Sequence, residues 1–293
     1  MPAGGHGTPE AAVRSASYTG KHNRHAVLPD SEKRPCDGCH GCRKNNSFKP
    51  GKEESLTSLS VVLPAYNEEA NIGPMIEDVV RVVAPLVEDY EIVVVDDGSS
   101  DETAARVREK AAKYPQVRLV QHEVNKGYGA AVFTGLTSAA KDLIFFTDSD
   151  RQFVIEEIKE FLPVILEDRA DLVAGYRTAR SDPFHRKLFG WGWSTLMTLL
   201  FGYTVRDVDC AFKLFRRQIV ETVAGDIISG GATFSIEFLV RAKRAGFRFH
   251  ELPVSHRPRV AGSQTGARLD VITRAFREML RLRWLLWFGN HKA

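Results

Sequence analysis

The chain has 293 residues, 43% of them hydrophobic and 26% charged, an ordinary composition for a soluble globular protein of one large domain or two small ones. No stretch reaches the roughly 18 uninterrupted apolar residues that a spanning helix requires and the N-terminus lacks an apolar signal core, so the expected place is cytoplasmic. The net charge of +3 conceals a division: residues 58–183 carry 13 Lys/Arg against 23 Asp/Glu, and residues 184–293 carry 18 against 8. An acidic half suits metal binding, and a basic half suits an anionic substrate or an anionic leaflet. No RNA- or DNA-binding motif accompanies the basic residues, so nucleic acid is not an expected partner.

Residues 1–57 are rich in Gly, Pro, His, Lys and Ser and lack hydrophobic periodicity, the pattern of a disordered basic extension. Within them Cys36, Cys39 and Cys42 stand at C-x₂-C-x₂-C spacing around His40, with His22 and His25 upstream. That set has the ligand types for Zn²⁺, but a second C-x-x-C pair is missing, and reduced thiols on a flexible tail are the alternative. Cys210 lies in a distant apolar segment and reads as a buried structural thiol.

From Leu59 the pattern alternates between strands and helices. Leu59 to Leu63 predicts a strand ending in Pro64-Ala65-Tyr66-Asn67-Glu68, and Ile72 to Val83 has helical spacing. Glu91 to Val95 is the second strand and runs into Asp96-Asp97-Gly98-Ser99-Ser100-Asp101, followed by a helix from near Glu102 through Tyr114. Val117 to Gln121, Ala130 to Ala140 and Leu143 to Thr147 read as strand, helix and strand, the last ending in Asp148-Ser149-Asp150-Arg151-Gln152. Such a βαβ series predicts an α/β fold with a mostly parallel sheet, whose ligands sit beyond the carboxyl ends of the strands. All three polar clusters occur there, so topology alone predicts that they converge.

A strand alternates its side chains, so Asp148 and Asp150 project to one side, where both reach one Mg²⁺ or Mn²⁺ whose shell a ligand's phosphate oxygens complete. Asp96 suits a base N–H and Asp97 suits ribose hydroxyls, while Tyr66 packs on a ring and Glu68 reaches base or ribose. Ser99, Ser100 and Asp101 also cap the helix that follows. Asn125-Lys126-Gly127-Tyr128-Gly129 feeds a helix and offers backbone N–H groups and Lys126 to a diphosphate. The G-x-G-x-x-G fingerprint is absent after the first strand, which argues against a hydride-transfer enzyme. In the basic half, Arg177 and Arg186 carry the planar fork that matches phosphate, with surface charge or a structural ion pair as the alternative. Phe184 to Tyr203 and Arg281 to Phe288 combine Trp with Arg and Lys, an interfacial signature that a core helix also satisfies.

Taken together, Pro64-Ala65-Tyr66-Asn67-Glu68, Val94-Val95-Asp96-Asp97-Gly98-Ser99, Asn125-Lys126-Gly127 and Asp148-Ser149-Asp150 resemble, in order and spacing, the inverting GT-A glycosyltransferases. More narrowly, residues 58–288 resemble the dolichyl-phosphate mannose synthase and polyprenyl-phosphate glucosyltransferase group. Later matches are Gly175-Tyr176-Arg177, Phe184-His185-Arg186-Lys187-Leu188, Asp209 to Arg217, and Glu251-Leu252-Pro253-Val254 before a basic loop from His256 to Gly266. Gly190, Ala211 and Gln264 depart from that pattern.

The resemblance implies a GT-A nucleotide-diphospho-sugar transferase fold with C-terminal amphipathic interface helices, a donor and metal half at 58–183 and an acceptor and membrane-facing half at 184–288. It implies metal ligands Asp148, Asp150 and Gln152, and donor contacts from Pro64, Tyr66, Glu68, Asp96, Asp97, Lys126, Asp148 and Ser149. It assigns acceptor phosphate to Arg177, Arg186, Ser194, Arg257 and Arg259, with Asp150, Arg177 and Arg186 catalytic. The expected reaction moves a hexose from a nucleotide sugar, GDP-mannose ahead of UDP-glucose, to a polyprenyl monophosphate with Mg²⁺ or Mn²⁺ and inversion at C1. The expected place is the cytoplasmic membrane face, peripherally bound to the surface or to a membrane partner. The alternatives are a soluble hydroxylated or phosphorylated acceptor and a non-catalytic nucleotide-sugar-binding protein.

Overall fold

The computed structural model describes residues 57–178, 192, 195–196, 198–231, 233–259 and 277–284, all within the compact unit Lys52–Ala293. Its frame is a seven-stranded sheet of order β3-β2-β1-β4-β6-β5-β7. Strands β1 (Ser58–Ala65), β2 (Asp89–Asp96), β3 (Val117–Gln121) and β4 (Leu143–Thr147) are parallel to one another. Every residue of β1 and β4 is buried, which explains their near-continuous apolar sequences: a central parallel strand is covered on both faces.

Helices α1 (Ile72–Val83), α2 (Thr103–Lys113) and α3 (Tyr128–Ser138) connect these strands. In α1 the buried Ile72, Met75, Ile76, Val79, Val82 and Val83 recur at helical spacing and form one core face. Helix α3 begins two residues before the expected Ala130, because Gly127 at φ 97° makes the turn and Tyr128 is already helical. Past β4 come α4 (Ile158–Leu166), β5 (Leu172–Arg177), β6 (Phe212–Arg216), α5 (Arg217–Val223), α6 (Phe234–Arg244) and β7 (Phe249–Val254).

Strand β6 runs antiparallel to both β4 and β5, while β7 is parallel to β5. The sheet is therefore mostly parallel with one reversed strand. Phe212 pairs with Thr147, so β6 starts at the edge where β1 to β4 end. By the same alternation β5 and β7 also end there. One edge of the sheet thus collects residues 64–68, 96–101, 121–127, 148–152, 177, 207–211 and 255–259.

Residues 277–284 form a helix that buries Met279 and Leu282 and leaves Leu280 and Trp284 about 60% exposed. Glu278 on that helix accepts a 2.6 Å hydrogen bond from the Thr233 hydroxyl, and nearby the Ala130 N–H donates to the Gly230 carbonyl at 2.9 Å. No described helix is long and apolar enough to cross a membrane. The cysteine cluster of residues 36–42, Arg186, Ser194, most of residues 184–203 and residues 285–288 lie outside the described residues.

Helix α3 lies so close to the sheet that a Cβ on Gly135 would stand 2.4 Å from Val62 Cγ1 and 3.2 Å from Val95 Cγ2. Gly135→Ala is expected to cost about 1–3 kcal/mol by overpacking, read as a fall of several degrees in Tm. An unchanged melting curve would show that α3 can shift outward without loss.

Candidate active site

At the collecting edge the loops are tied to one another through side chains. Asn67, in left-handed conformation at φ 54°, donates its N–H to the Ser99 hydroxyl oxygen at 2.9 Å and accepts the Ser100 N–H on its own Oδ1 at 2.9 Å. The Glu68 N–H donates to Thr103 Oγ1 at 2.8 Å, and Ser149, buried between the two aspartates, donates its hydroxyl to the Pro64 carbonyl at 2.7 Å. These links bring the ends of β1, β2 and β4 together and leave Tyr66 exposed at the rim. Asp101 accepts the Thr103 N–H at 3.0 Å in the first turn of α2, the capping task expected of it.

Asp96 and Asp97 are both buried among protein donors. Asp96 accepts the Ser99 N–H and the Gln121 amide, each at 3.0 Å. Asp97 takes the N–H groups of Lys126 at 2.9 Å and Gly127 at 2.8 Å, with His122 Nδ1 2.6 Å from Oδ1. The loop before α3 therefore turns these two amides inward to a carboxylate, whereas the sequence suggested that its backbone faces a diphosphate. Lys126 remains exposed and is what the loop offers outward at that position.

Asp148 and Asp150 follow the last residue of β4, with Tyr128 donating its hydroxyl to Asp148 Oδ1 at 2.9 Å. Burial, and then the neighbouring charge of Asp150, push the Asp148 carboxyl up to about 7. Asp150 accepts the Gln152 N–H at 3.1 Å and has Arg259 Nη1 at 3.8 Å. Beneath them lies Lys213, buried, donating to the Val208 carbonyl at 3.1 Å and to that of Cys210; burial lowers its pKa, and its charge acts on Asp148. Cys210 is a buried free thiol, as its sequence context predicts, pushed up to about 12 by burial.

The intervening Arg151 adopts φ 61°, uncommon for a residue with a side chain, and is held by Asp78 at 3.1 Å. Gln152 is clamped to the segment after β7: its Nε2 donates to the Arg257 carbonyl at 2.9 Å and its carbonyl accepts the Arg257 N–H at 2.7 Å. That orientation leaves Gln152 Oε1 as an acceptor. Two neighbouring carboxylates, plus an amide oxygen, form an oxygen-only donor set that fits a hard dication such as Mg²⁺ or Mn²⁺. Among the described residues no three His, Cys, Asp or Glu side chains gather, so most of such a cation's shell would come from ligand and water oxygens.

The arginines divide. Arg177 forms a bidentate pair with Asp207, Nε to Oδ2 at 2.7 Å and Nη2 to Oδ1 at 2.8 Å, both side chains being largely buried. The structural ion pair anticipated as an alternative for Arg177 is thus present. Arg259 pairs with Glu68, which also accepts from the Asn71 amide at 2.6 Å, so the basic segment after β7 reaches the first-strand loop. The Arg257 side chain is exposed. A cavity of about 470 Å³ lies beside this segment, but Arg81 and Arg151 in its wall are already paired with Asp78 and Glu156, and it includes none of the acidic pair.

The model of the family described as Glycosyl transferase family 2 matches residues 60–224. The chain belongs to that family. It is 30% identical over 238 residues to a dodecaprenyl-phosphate galacturonate synthase of Rhizobium johnstonii, covering 80% of this chain and 68% of the relative. It is 32% identical over 209 residues to a dolichyl-phosphate beta-glucosyltransferase of Trichomonas vaginalis, covering 67% of this chain and 64% of that one. It is 31% identical over 172 residues to an undecaprenyl-phosphate 4-deoxy-4-formamido-L-arabinose transferase of Proteus mirabilis, covering 58% and 52%. The chain therefore spans between about half and two thirds of these relatives' lengths.

Glucosyl-3-phosphoglycerate synthase of Mycobacterium tuberculosis, solved with Mn²⁺, UDP and phosphoglyceric acid, shares the fold at TM-score 0.58 and 22% identity, over 81% of this chain and 84% of that one. A mannosyltransferase of Pyrobaculum calidifontis, solved with GDP-Man and Mn²⁺, does so at 0.57 and 18%, over 82% and 66%. The fold is GT-A and the protein is a glycosyltransferase.

The site contains four residues that sequence reasoning missed: His122, Tyr128, Asp207 and Lys213. Tyr128 and Lys213 stood inside motifs read for other positions, while His122 and Asp207 act across 25 and 30 residues respectively. Because Asp207 neutralises a largely buried guanidinium, Asp207→Asn should destabilise the fold by about 3 kcal/mol or more in denaturant titration. A loss under about 1 kcal/mol would mean that Arg177 finds water or another anion as readily.

Proposed function

We propose that this glycosyltransferase moves a sugar, with inversion at C1, from a nucleotide diphosphate sugar to a polyprenyl monophosphate in a reaction that depends on Mg²⁺ or Mn²⁺. The observation that carries the reading is the oxygen-only set of Asp148, Asp150 and Gln152 Oε1 at the end of β4. All three relatives described above are named for transfer involving a prenyl phosphate, which supports that acceptor. The dolichyl-phosphate glucosyltransferase among them moves our preference for the sugar from mannose to glucose.

In this reading the donor rests in the crevice bounded by Pro64, Tyr66, Glu68, Asp96, Asp97, Lys126, Asp148 and Ser149. The cation, when bound, neutralises charge on the departing diphosphate. A lipid monophosphate is already anionic near neutral pH and needs no general base, only cations that align it. Arg257 and Arg259 occupy the segment next to Asp150, and Arg177, Arg186 and Ser194 complete the proposed acceptor set. Arg177 serves there with the N–H groups that Asp207 does not take. Asp150→Asn should lower turnover at least about a hundredfold while leaving Tm and the circular dichroism spectrum intact. Near-normal turnover with unchanged metal dependence would overturn the metal assignment. Transfer assays pairing UDP-glucose and GDP-mannose with undecaprenyl phosphate and with soluble acceptors would identify both substrates.

We further propose that the basic half, net +10 over residues 184–293, docks peripherally on the cytoplasmic membrane face, with Leu280 and Trp284 among the inserted groups. Residues 1–57 are, in the same reading, an extension outside the 58–288 catalytic domain. Co-sedimentation with vesicles should rise with anionic lipid and weaken, without vanishing, as salt increases. A protein that ignores such vesicles and glycosylates a short soluble acceptor better than a polyprenyl phosphate would belong with the soluble-acceptor reading.

A further inference from the structure

Asp97 is 2% exposed, and a carboxylate so placed must be satisfied by protein donors. Two of its three are the N–H groups of Lys126 and Gly127; the third is the ring of His122, the residue immediately after β3. An ionised carboxylate only accepts, so His122 Nδ1 carries the proton. The other ring nitrogen, Nε2, stands 3.0 Å from the Thr134 hydroxyl on α3, and that hydroxyl can rotate to donate or accept. His122 is thereby fixed at both ends, between the carboxylate ending β2 and the helix that the donor loop enters. The loop itself has little alternative path. Gly98, at φ 68°, passes beneath it so closely that a Cβ would stand 2.6 Å from the Val124 carbonyl carbon and 2.7 Å from Asn125 N.

We propose that His122 is a positioning residue for the donor, holding Asp97 in the rotamer that grips the Lys126 and Gly127 amides and so sets where Lys126 meets the diphosphate. The inference rests on the donor crevice proposed above, but its structural part concerns the free protein. With Nδ1–H removed, Asp97 loses one of three hydrogen bonds, and the loop, exposed at Val124, Asn125 and Lys126, has no other described side chain beneath those two amides. The side chain of Asn places an N–H near where His has Nδ1, whereas that of Gln reaches nearer to Nε2.

The test compares the full chain with His122→Leu, His122→Gln and His122→Asn. Amide exchange of residues 124–127 in the ligand-free protein should accelerate at least about tenfold in the Leu and Gln variants and return toward wild type in the Asn variant. The donor KM should follow the same order, rising about tenfold in the first two, with acceptor KM and kcat nearly unchanged. Wild-type exchange in both His122→Leu and His122→Gln would overturn the proposal. So would equal loss of donor and acceptor affinity in all three variants along with a lowered Tm, the mark of general destabilisation. If His122→Leu does not fold, the Gln and Asn variants still give opposite expectations. Because exchange is read without substrate, a failure of the proposed transfer reaction would leave this test standing.

Discussion

Two carboxylates set side by side at the mouth of a buried strand repel one another, and most of the site can be read as a response to that repulsion. Tyr128 donates a hydroxyl to Asp148, Arg259 stands near Asp150, and Lys213 sits underneath. None of these removes the conflict: Lys213 is itself penalised by burial, Arg259 is shared with Glu68, and Asp148 is still held well above an ordinary aspartate. The protein alone is left with an electrostatic cost that the dication proposed above would relieve. Strain of this kind is tolerated only where the surrounding structure over-determines the geometry, and here the ties from Ser149 to Pro64 and from Gln152 to Arg257 do so.

The parallel half of the fold was legible because its strands are buried on both faces and its helices carry one apolar face; those are local, periodic signals. Convergence of the polar clusters then followed from strand direction. The reversed β6 was not legible, because the apolar pattern of Phe212–Arg216 carries no direction and its orientation is seen only in its pairing with β4, far earlier in the chain. Asp97 shows a subtler limit. An acidic pair after a strand looks like a ligand-binding feature, but only burial and the positions of two amides 29 and 30 residues away reveal an anchor. Arg177 similarly matched a phosphate-binding position, while its partner Asp207 has no periodic relation to it.

The division into an acidic and a basic half is not a division of the molecule into two surfaces. Arg259 crosses from the basic half to Glu68 and Asp150, and the backbone of Arg257 grips Gln152. The segment carrying the acidic pair and the segment after β7 are in that sense one unit, joined also by the Phe153–His256 bridge. A donor and an acceptor brought to this edge would meet groups whose positions depend on each other, which is the arrangement a transfer between two anionic substrates requires.

The pairing of Arg259 with Glu68 spans 191 positions of chain. On a ribosome, the first-strand loop and the acidic pair emerge long before the residues that brace them, so a nascent chain can assemble the parallel strands but not the finished crevice. The braced crevice is therefore complete only late in synthesis, after the basic segment has appeared.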